Sequence, residues 1–311
     1  MVTRTLAFLQ PTANGLDFRY GVNLADWWHV DVVRGSDRHL SVENILRDEA
    51  APLYDRKASL STRIMTLRIA FLCSGGGGNL RFIAQAIEQR TLPDAMICAV
   101  LTDRECLANQ FAREHRISTR VLDFRAQEQQ EVLDALGEAT ADVVVTNVHK
   151  ILAAPVVAAY RGRLVNLHYS LLPAYGGVIG MRPVELALAD GVKFIGVTAH
   201  HVDEAVDAGK PIVQAVIPTE PHDTVASLAD TVFRNGCLTL LEALRTFILA
   251  STDHTGGIKN AYVRNRESCF NPGLSFPASL FDEPFWRKLA DYPSAPSARR
   301  GHSAQRIQGQ G

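Results

Sequence analysis

The chain has 311 residues, 32 Lys and Arg against 33 Asp and Glu, a net charge of −1 and 47% hydrophobic residues. That is room for one large or two modest domains, with no basic excess for a nucleic-acid partner and no apolar run near the roughly 18–20 residues of a membrane span. Met1–Gln10 holds one basic residue and too short an apolar run for a signal peptide, and Cys73, Cys98, Cys106, Cys237 and Cys269 form no CxxC pair, so we expect free thiols in a reducing cytoplasm and no bound metal.

Residues 1–65 are mixed, with apolar pieces at Leu6–Leu9, Trp27–Trp28 and Val30–Val33, and are taken as an N-terminal extension. Residues 66–250 alternate apolar runs with amphipathic stretches, which predicts β/α units and a mostly parallel sheet. Leu67–Cys73 predicts a strand that ends in a glycine-rich loop. Leu80, Ile83, Ala84 and Ile87 then predict a helix over Asn79–Gln89. Further strands are expected at Met96–Leu101, Arg120–Asp123, Asp142–Thr146 and Leu164–His168, with helices at Leu107–His115 and Gln127–Leu136. Phe194–His200 and Ile212–Ile217 predict a later pair of strands, and Ser227–Leu249 a long closing helix. Residues 251–311 form a C-terminal extension whose tail, from Pro293, has a disordered composition. In a sheet of this kind, ligands sit beyond the carboxyl ends of the strands.

Three residues stand out at that edge. Asn166 and His168 are two apart on a predicted strand, so their side chains share one side. Asp207 follows in the acidic turn Val202–Gly209. Acyl transfer needs a donor for a developing oxyanion, a group that moves a proton and a carboxylate to orient or charge that group, and these residue types supply all three. The loop Ser74-Gly75-Gly76-Gly77-Gly78-Asn79 leads from a strand into a helix. It is open to three readings: contact with a phosphate or carboxylate, a tight turn only, or a dinucleotide fingerprint with Leu80 in place of its third glycine. It is not a P-loop, because no Lys-Ser/Thr follows. His149-Lys150 follows the fourth strand and lines the same edge or is ordinary loop polarity. His200 and His201 are adjacent, so on a strand they point opposite ways, one inward and one exposed.

In this order and spacing, Ser74–Leu80, Asn166-Leu-His168-Tyr-Ser-Leu-Leu-Pro173, Gly191–His200 and Asp207–Gln214 resemble the formyltransferase domain that uses 10-formyltetrahydrofolate. That family includes glycinamide ribonucleotide transformylase and formyltetrahydrofolate deformylase, and the resemblance spans residues 67–250. It implies a doubly wound, Rossmann-like α/β fold of about seven strands. It places the catalytic triplet on Asn166, His168 and Asp207, and the folate pocket on Thr146, Asn147, Val148, His149, Lys150, Ile151 and Leu152 together with His201, Val202 and Asp203. The acceptor side falls on Gly75, Gly76, Gly77, Gly78 and Asn79. The implied reaction moves a formyl group from the folate cosubstrate to a small amine or hydroxylamine. Asn166 would donate to the oxyanion, His168 would stabilise it in protonated form, and Asp207 would hold that charge.

This sequence also departs from the family. Where the transformylase's closing helix carries a Glu-His pair that holds the acceptor, this chain has Gly236 and Cys237. The loop Tyr175–Pro183 lacks the usual histidines. We therefore expect a non-purine acceptor, of hydroxyornithine or amino-sugar type; the segments 1–65 and 258–292, with Trp27, Trp28, Arg264, Arg266 and Trp286, are candidates for a different pocket wall, with packing against the core the expected role of the tryptophans. The run Gly191–His200 is most like the deformylase, so hydrolysis of formyl-folate is the alternative. A nucleotide-dependent oxidoreductase or a non-catalytic folate-binding protein on the same scaffold is a third class.

Overall fold

A computed structural model describes residues 66–248 and 257–290 and the backbone of four strands before them. The chain divides into two units, Met1–Ile64 and Met65–Gly311. In the first, β1 (Leu6–Thr12) pairs antiparallel with β2 (Gly15–Gly21), and β3 (Asp31–Arg34) with β4 (Arg38–Ser41). Trp27, Trp28 and the tail from Pro293 lie outside the described residues.

The second unit carries the expected alternation. Its elements are β5 (Leu67–Cys73), α1 (Gly78–Glu88), β6 (Ala95–Thr102), α2 (Leu107–Glu114), β7 (Ser118–Val121), α3 (Gln130–Glu138), β8 (Val143–Asn147) and α4 (Ala154–Ala159). They continue with β9 (Leu164–His168), α5 (Arg182–Ala189), β10 (Phe194–His201), β11 (Pro211–Pro218), α6 (Val225–Ile248), β12 (Lys259–Val263), β13 (Arg266–Asn271) and α7 (Glu283–Ala290). The sheet has nine strands, in the order β12-β13-β11-β10-β9-β8-β5-β6-β7. The five from β9 to β7 are parallel, and β10, β11, β13 and β12 join antiparallel.

Helices cover both faces, which makes the sheet doubly wound. Ile69, Phe71, Val143, Val145, Val165 and Leu167 face α1 and α6, in a core with Phe82, Leu240 and Leu241. Ala70, Leu72, Val144 and Leu164 face α3 and α4, with Val132, Leu136, Val156 and Val157. Central parallel strands buried on both sides need such unbroken apolar runs, which is why they were easy to place.

Four expectations need correction. There are nine strands rather than seven, because β12 and β13 from the C-terminal extension pair onto β11. β7 lies at Ser118–Val121 and not at Arg120–Asp123. It is an edge strand with no fully buried residue, anchored by the Thr119 hydroxyl on the Val100 carbonyl at 2.7 Å, while Leu122 beyond it turns into the α3 core. The helices α4 and α5 were not expected: each is short and starts with a proline in its first turn, Pro155 and Pro183. Arg264 and Arg266 build no pocket wall. They bind Asp230 at 2.7 Å and Asp223 at 2.6 Å, tying the extension to the start of α6. Trp286 stacks on Phe82 at 5.4 Å between ring centres, beside Phe281 and Phe285.

Candidate active site

The parallel strands β5, β8 and β9 end together, and a cleft of about 400 Å³ opens beyond them. Asn166 and His168 share the parity of Leu164, so both lie on the α4 side of the sheet. β10 runs antiparallel beside them, with His200 opposite Asn166 and Thr198 opposite His168, so His200 falls on the same side. His200 lines the cleft and His201 does not. His200 is buried and faces the cleft, but His201 is not the exposed residue expected: it is half-buried, its ring edge-on to Phe247 of α6 at 6.3 Å, and it lies outside the cleft lining to which the folate side had assigned it.

Asp207 reaches this group from the turn after β10. A Cβ at Gly209 would lie 1.7 Å from the His201 carbonyl oxygen, so only glycine lets the turn pass there. The His201 N–H donates to the Lys210 carbonyl at 3.0 Å and closes the turn. Asp207 itself has φ of 53°. His168 Nδ1 lies 3.3 Å from Asp207 Oδ2, and the Gly177 N–H donates to the same oxygen at 2.7 Å. His200 Nε2 lies 3.6 Å from Asp207 Oδ1, just beyond hydrogen-bond length, while its Nδ1 meets the His201 carbonyl at 2.8 Å.

His168 has a second acceptor, the Tyr175 carbonyl, 3.1 Å from Nε2. A carboxylate and a carbonyl can only accept, so an imidazolium would find a partner for each proton. Burial opposes that cation and outweighs Asp207 and Tyr175: His168 sits below its ordinary pKa. Burial thus favours the neutral ring, while Asp207 and the Tyr175 carbonyl favour the cation. Asp207 is held below the usual carboxylate range by the His200 ring first, then by the Gly177 N–H and His168, against the cost of burial. The Asn166 amide donates to the Thr146 carbonyl and lies 3.1 Å from its hydroxyl.

Thr146, Asn147, Val148, His149, Lys150, Ile151 and Leu152 all line the cleft, as do Val202 and Asp203. The backbone of this loop is pinned by a residue with no earlier assignment. Gln129 donates to the Ile151 carbonyl at 2.9 Å and accepts from the Ala153 N–H at 2.9 Å. Ile151, Ile179 and Val206 form an exposed apolar rim.

Of the five residues expected on the acceptor side, Asn79 lines the cleft, while Gly75, Gly76, Gly77 and Gly78 are not among its lining residues. Gly77 caps α1 with φ of 65°, and a Cβ there would meet Ala108 at 3.2 Å. At Gly78 a Cβ would meet the Phe233 ring at 2.9 Å. Both glycines thus answer to packing. The loop is tied to the folate side by Ser74, whose hydroxyl accepts the His149 N–H at 2.8 Å. Tyr169, Gly177, Val178 and Gly180 also line the cleft. The signal for Tyr169 was available, because one position after His168 the parity of the strand turns a side chain to the α6 side.

The profile of the family described as "Formyl transferase" matches residues 67–244. Phosphoribosylglycinamide formyltransferase of Vigna unguiculata chloroplasts is 30% identical over 191 residues, 59% of this chain and 61% of that protein. The protein of the same name from Haemophilus influenzae is 30% identical over 164 residues, 51% of this chain and 76% of its own length. The chain spans 13% of the Drosophila melanogaster trifunctional purine biosynthetic protein adenosine-3 that it also matches. Among solved structures, phosphoribosylglycinamide formyltransferase from Bacillus halodurans superposes with a TM-score of 0.55 at 29% identity, covering 60% of this chain and 97% of that one. A formyltetrahydrofolate deformylase from Pseudomonas syringae shares the fold, with a TM-score of 0.54, 24% identity and 65% of each chain covered. With the profile spanning more than half of its residues, and the strand ends arranged as described, the chain belongs to the formyl transferase family.

Proposed function

We propose that the protein transfers a formyl group from 10-formyltetrahydrofolate to a small amine or hydroxylamine. The observation that carries this is the convergence of Asn166, His168 and Asp207 at one cleft edge, with His168 Nδ1 3.3 Å from Asp207 Oδ2. The cleft suits the cosubstrate: about 400 Å³ lies within the range of small-molecule sites, with an apolar rim for a flat ring and the pinned 146–152 backbone for its polar edge.

In this mechanism the acceptor nitrogen attacks the formyl carbon and the carbonyl oxygen takes the electron pair. The Asn166 amide turns a proton to that oxygen, giving up its longer contact to the Thr146 hydroxyl. Neutral His168 keeps its proton on Nδ1 toward Asp207; its Nε2 turns from the Tyr175 carbonyl to accept the proton released by the nucleophile, and Asp207 holds the resulting cation. As the carbon–nitrogen bond to the folate breaks, His168 returns a proton to the departing nitrogen. One oxyanion donor is worth about 3–4 kcal/mol of barrier, and holding the two substrates together can add roughly 7–11 kcal/mol.

The names of the relatives favour a second reading of the acceptor, glycinamide ribonucleotide. Release of tetrahydrofolate from 10-formyltetrahydrofolate is the test, run without acceptor, with glycinamide ribonucleotide and with hydroxylamine-type and amino-sugar acceptors. Acceptor-dependent release supports transfer. Equal release without any amine overturns it in favour of hydrolysis.

A further inference from the structure

The side of the cleft facing α6 is built by contacts that the transfer chemistry does not use. Tyr169 follows His168 by one position and so falls on the Leu167 face of the sheet, opposite the triplet. There it lies over Gly236 of α6: a Cβ at that glycine would stand 2.9 Å from Tyr169 Cε1 and 3.1 Å from Leu167 Cδ2. Both values are tighter than ordinary contact, so any side chain at 236 displaces the ring. Position 237 is equally occupied. The Cys237 Sγ lies 3.5 Å from Asn79 Oδ1, and the Asn79 side chain is also the polar neighbour of the Tyr169 phenol. Tyr169 and Asn79 line the cleft.

The charges around this corner are as telling as its shape. Among the residues lining the cleft, Lys150 is the single Lys or Arg, and it belongs to the loop on the other side of the sheet. Arg81, on α1, donates to the Leu289 carbonyl of α7 at 3.0 Å. A phosphate set against this ring, amide and thiol would lose water and find no Lys or Arg among the cleft-lining residues on that side.

We propose that Tyr169 selects the acceptor: with Asn79 it forms a compact, uncharged seat over Gly236 that takes an unphosphorylated amine and keeps out a phosphoribosyl one. Gly236 is the other half of the same device, because the ring can lie there only above a residue without a side chain. With the phenol joined to the Asn79 side chain, the seat presents a ring and an amide, which suits a small polar amine. This inference rests on the formyl-transfer reading and adds the acceptor class to it.

The test compares wild type, Tyr169→Ala and Gly236→Ala with hydroxylamine and glycinamide ribonucleotide as acceptors, reading tetrahydrofolate release and, separately, the Kd of a folate analogue. For Tyr169→Ala we expect kcat/KM to fall about tenfold or more with hydroxylamine and to rise by a similar factor with glycinamide ribonucleotide, the range that pocket contacts command. Folate affinity should stay within about twofold, as befits a residue across the sheet from the folate loop. Gly236→Ala should shift the same ratio in the same direction, and it carries the test if Tyr169→Ala does not fold. An unchanged ratio in both variants overturns the inference while leaving formyl transfer intact. So does a wild-type kcat/KM for glycinamide ribonucleotide of order 10⁴ M⁻¹s⁻¹ or above. If no acceptor drives release in wild type, the formyl-transfer reading itself fails.

Discussion

The two sides of the cleft are built on different principles. The α4 side is polar and anchored through backbone: Asn166, His168 and His200 project from neighbouring strands, and Gln129 pins the 146–152 loop by its main chain. The α6 side is packed: Tyr169 on Gly236, Cys237 on Asn79 and Phe233 against Gly78. The first arrangement depends on hydrogen-bond directions and tolerates many side chains around it. The second depends on volume, so a single added carbon rewrites it. If the proposed roles are right, reaction chemistry and choice of acceptor are separable, and substitutions on one side should leave the other side's constants in place.

The largest effect should come from the α4 side. His168→Ala removes the proposed base and Asn166→Ala the proposed oxyanion donor; each should lower kcat by about 100-fold or more, with the Kd of a folate analogue little changed. Near-normal turnover in His168→Ala, measured with saturating cosubstrates, would break the assignment of chemistry to this side.

Next comes Gly209→Ala. The added carbon would sit 1.7 Å from a backbone oxygen that no rotamer change can move, so the turn holding Asp207 must shift. We expect about 1–3 kcal/mol of lost stability by denaturant unfolding, and a fall in kcat of about tenfold or more from a misplaced Asp207. Retained kcat alongside lost stability would show that Asp207 acts without exact placement.

A subtler effect should appear in the pH profile. In the proposed mechanism the active form of His168 is the neutral base, so kcat/KM should be lost as pH falls through its pKa. Burial puts that pKa below the ordinary value of about 6.5, and the acid limb of the profile should lie there too. Asp207 raises the His168 pKa, so Asp207→Asn should move the limb further down even as it lowers the rate. A limb that moves up in Asp207→Asn would mean that a different group titrates.

These two sides were unequally legible in the sequence. Strand alternation alone put Asn166 and His168 on one face, and the apolar runs of β5, β6, β8 and β9 marked the ligand edge, because central parallel strands cannot be written otherwise. The choice between His200 and His201 needed the register with β9, a long-range fact that alternation does not contain. Gly236 and Cys237 read as missing functional groups. Their meaning lies in what fills the space, Tyr169 and Asn79, which lie far away in the chain. The strands β12 and β13 escaped because their sequence carries charges and exposed positions, as an edge pair does.

The smallest effect is also the sharpest test of the division, and it concerns the glycine loop. Gly77 holds φ of 65° and packs on Ala108, so Gly77→Ala should cost about 1–2 kcal/mol whether or not an anion ever binds. It cannot report on ligand contact. Gly75 can: a Cβ there meets nothing within 4 Å, and stability in Gly75→Ala should stay within about 0.5 kcal/mol of wild type. If the acceptor is seated by Tyr169 and Asn79, its KM in Gly75→Ala should also stay within about twofold, since Gly75 lies outside the cleft lining. A phosphate cradled by the loop's backbone would feel the new methyl group at once. A several-fold rise in acceptor KM, with folate affinity unmoved, would return the acceptor to the glycine loop and make the packed α6 side a bystander.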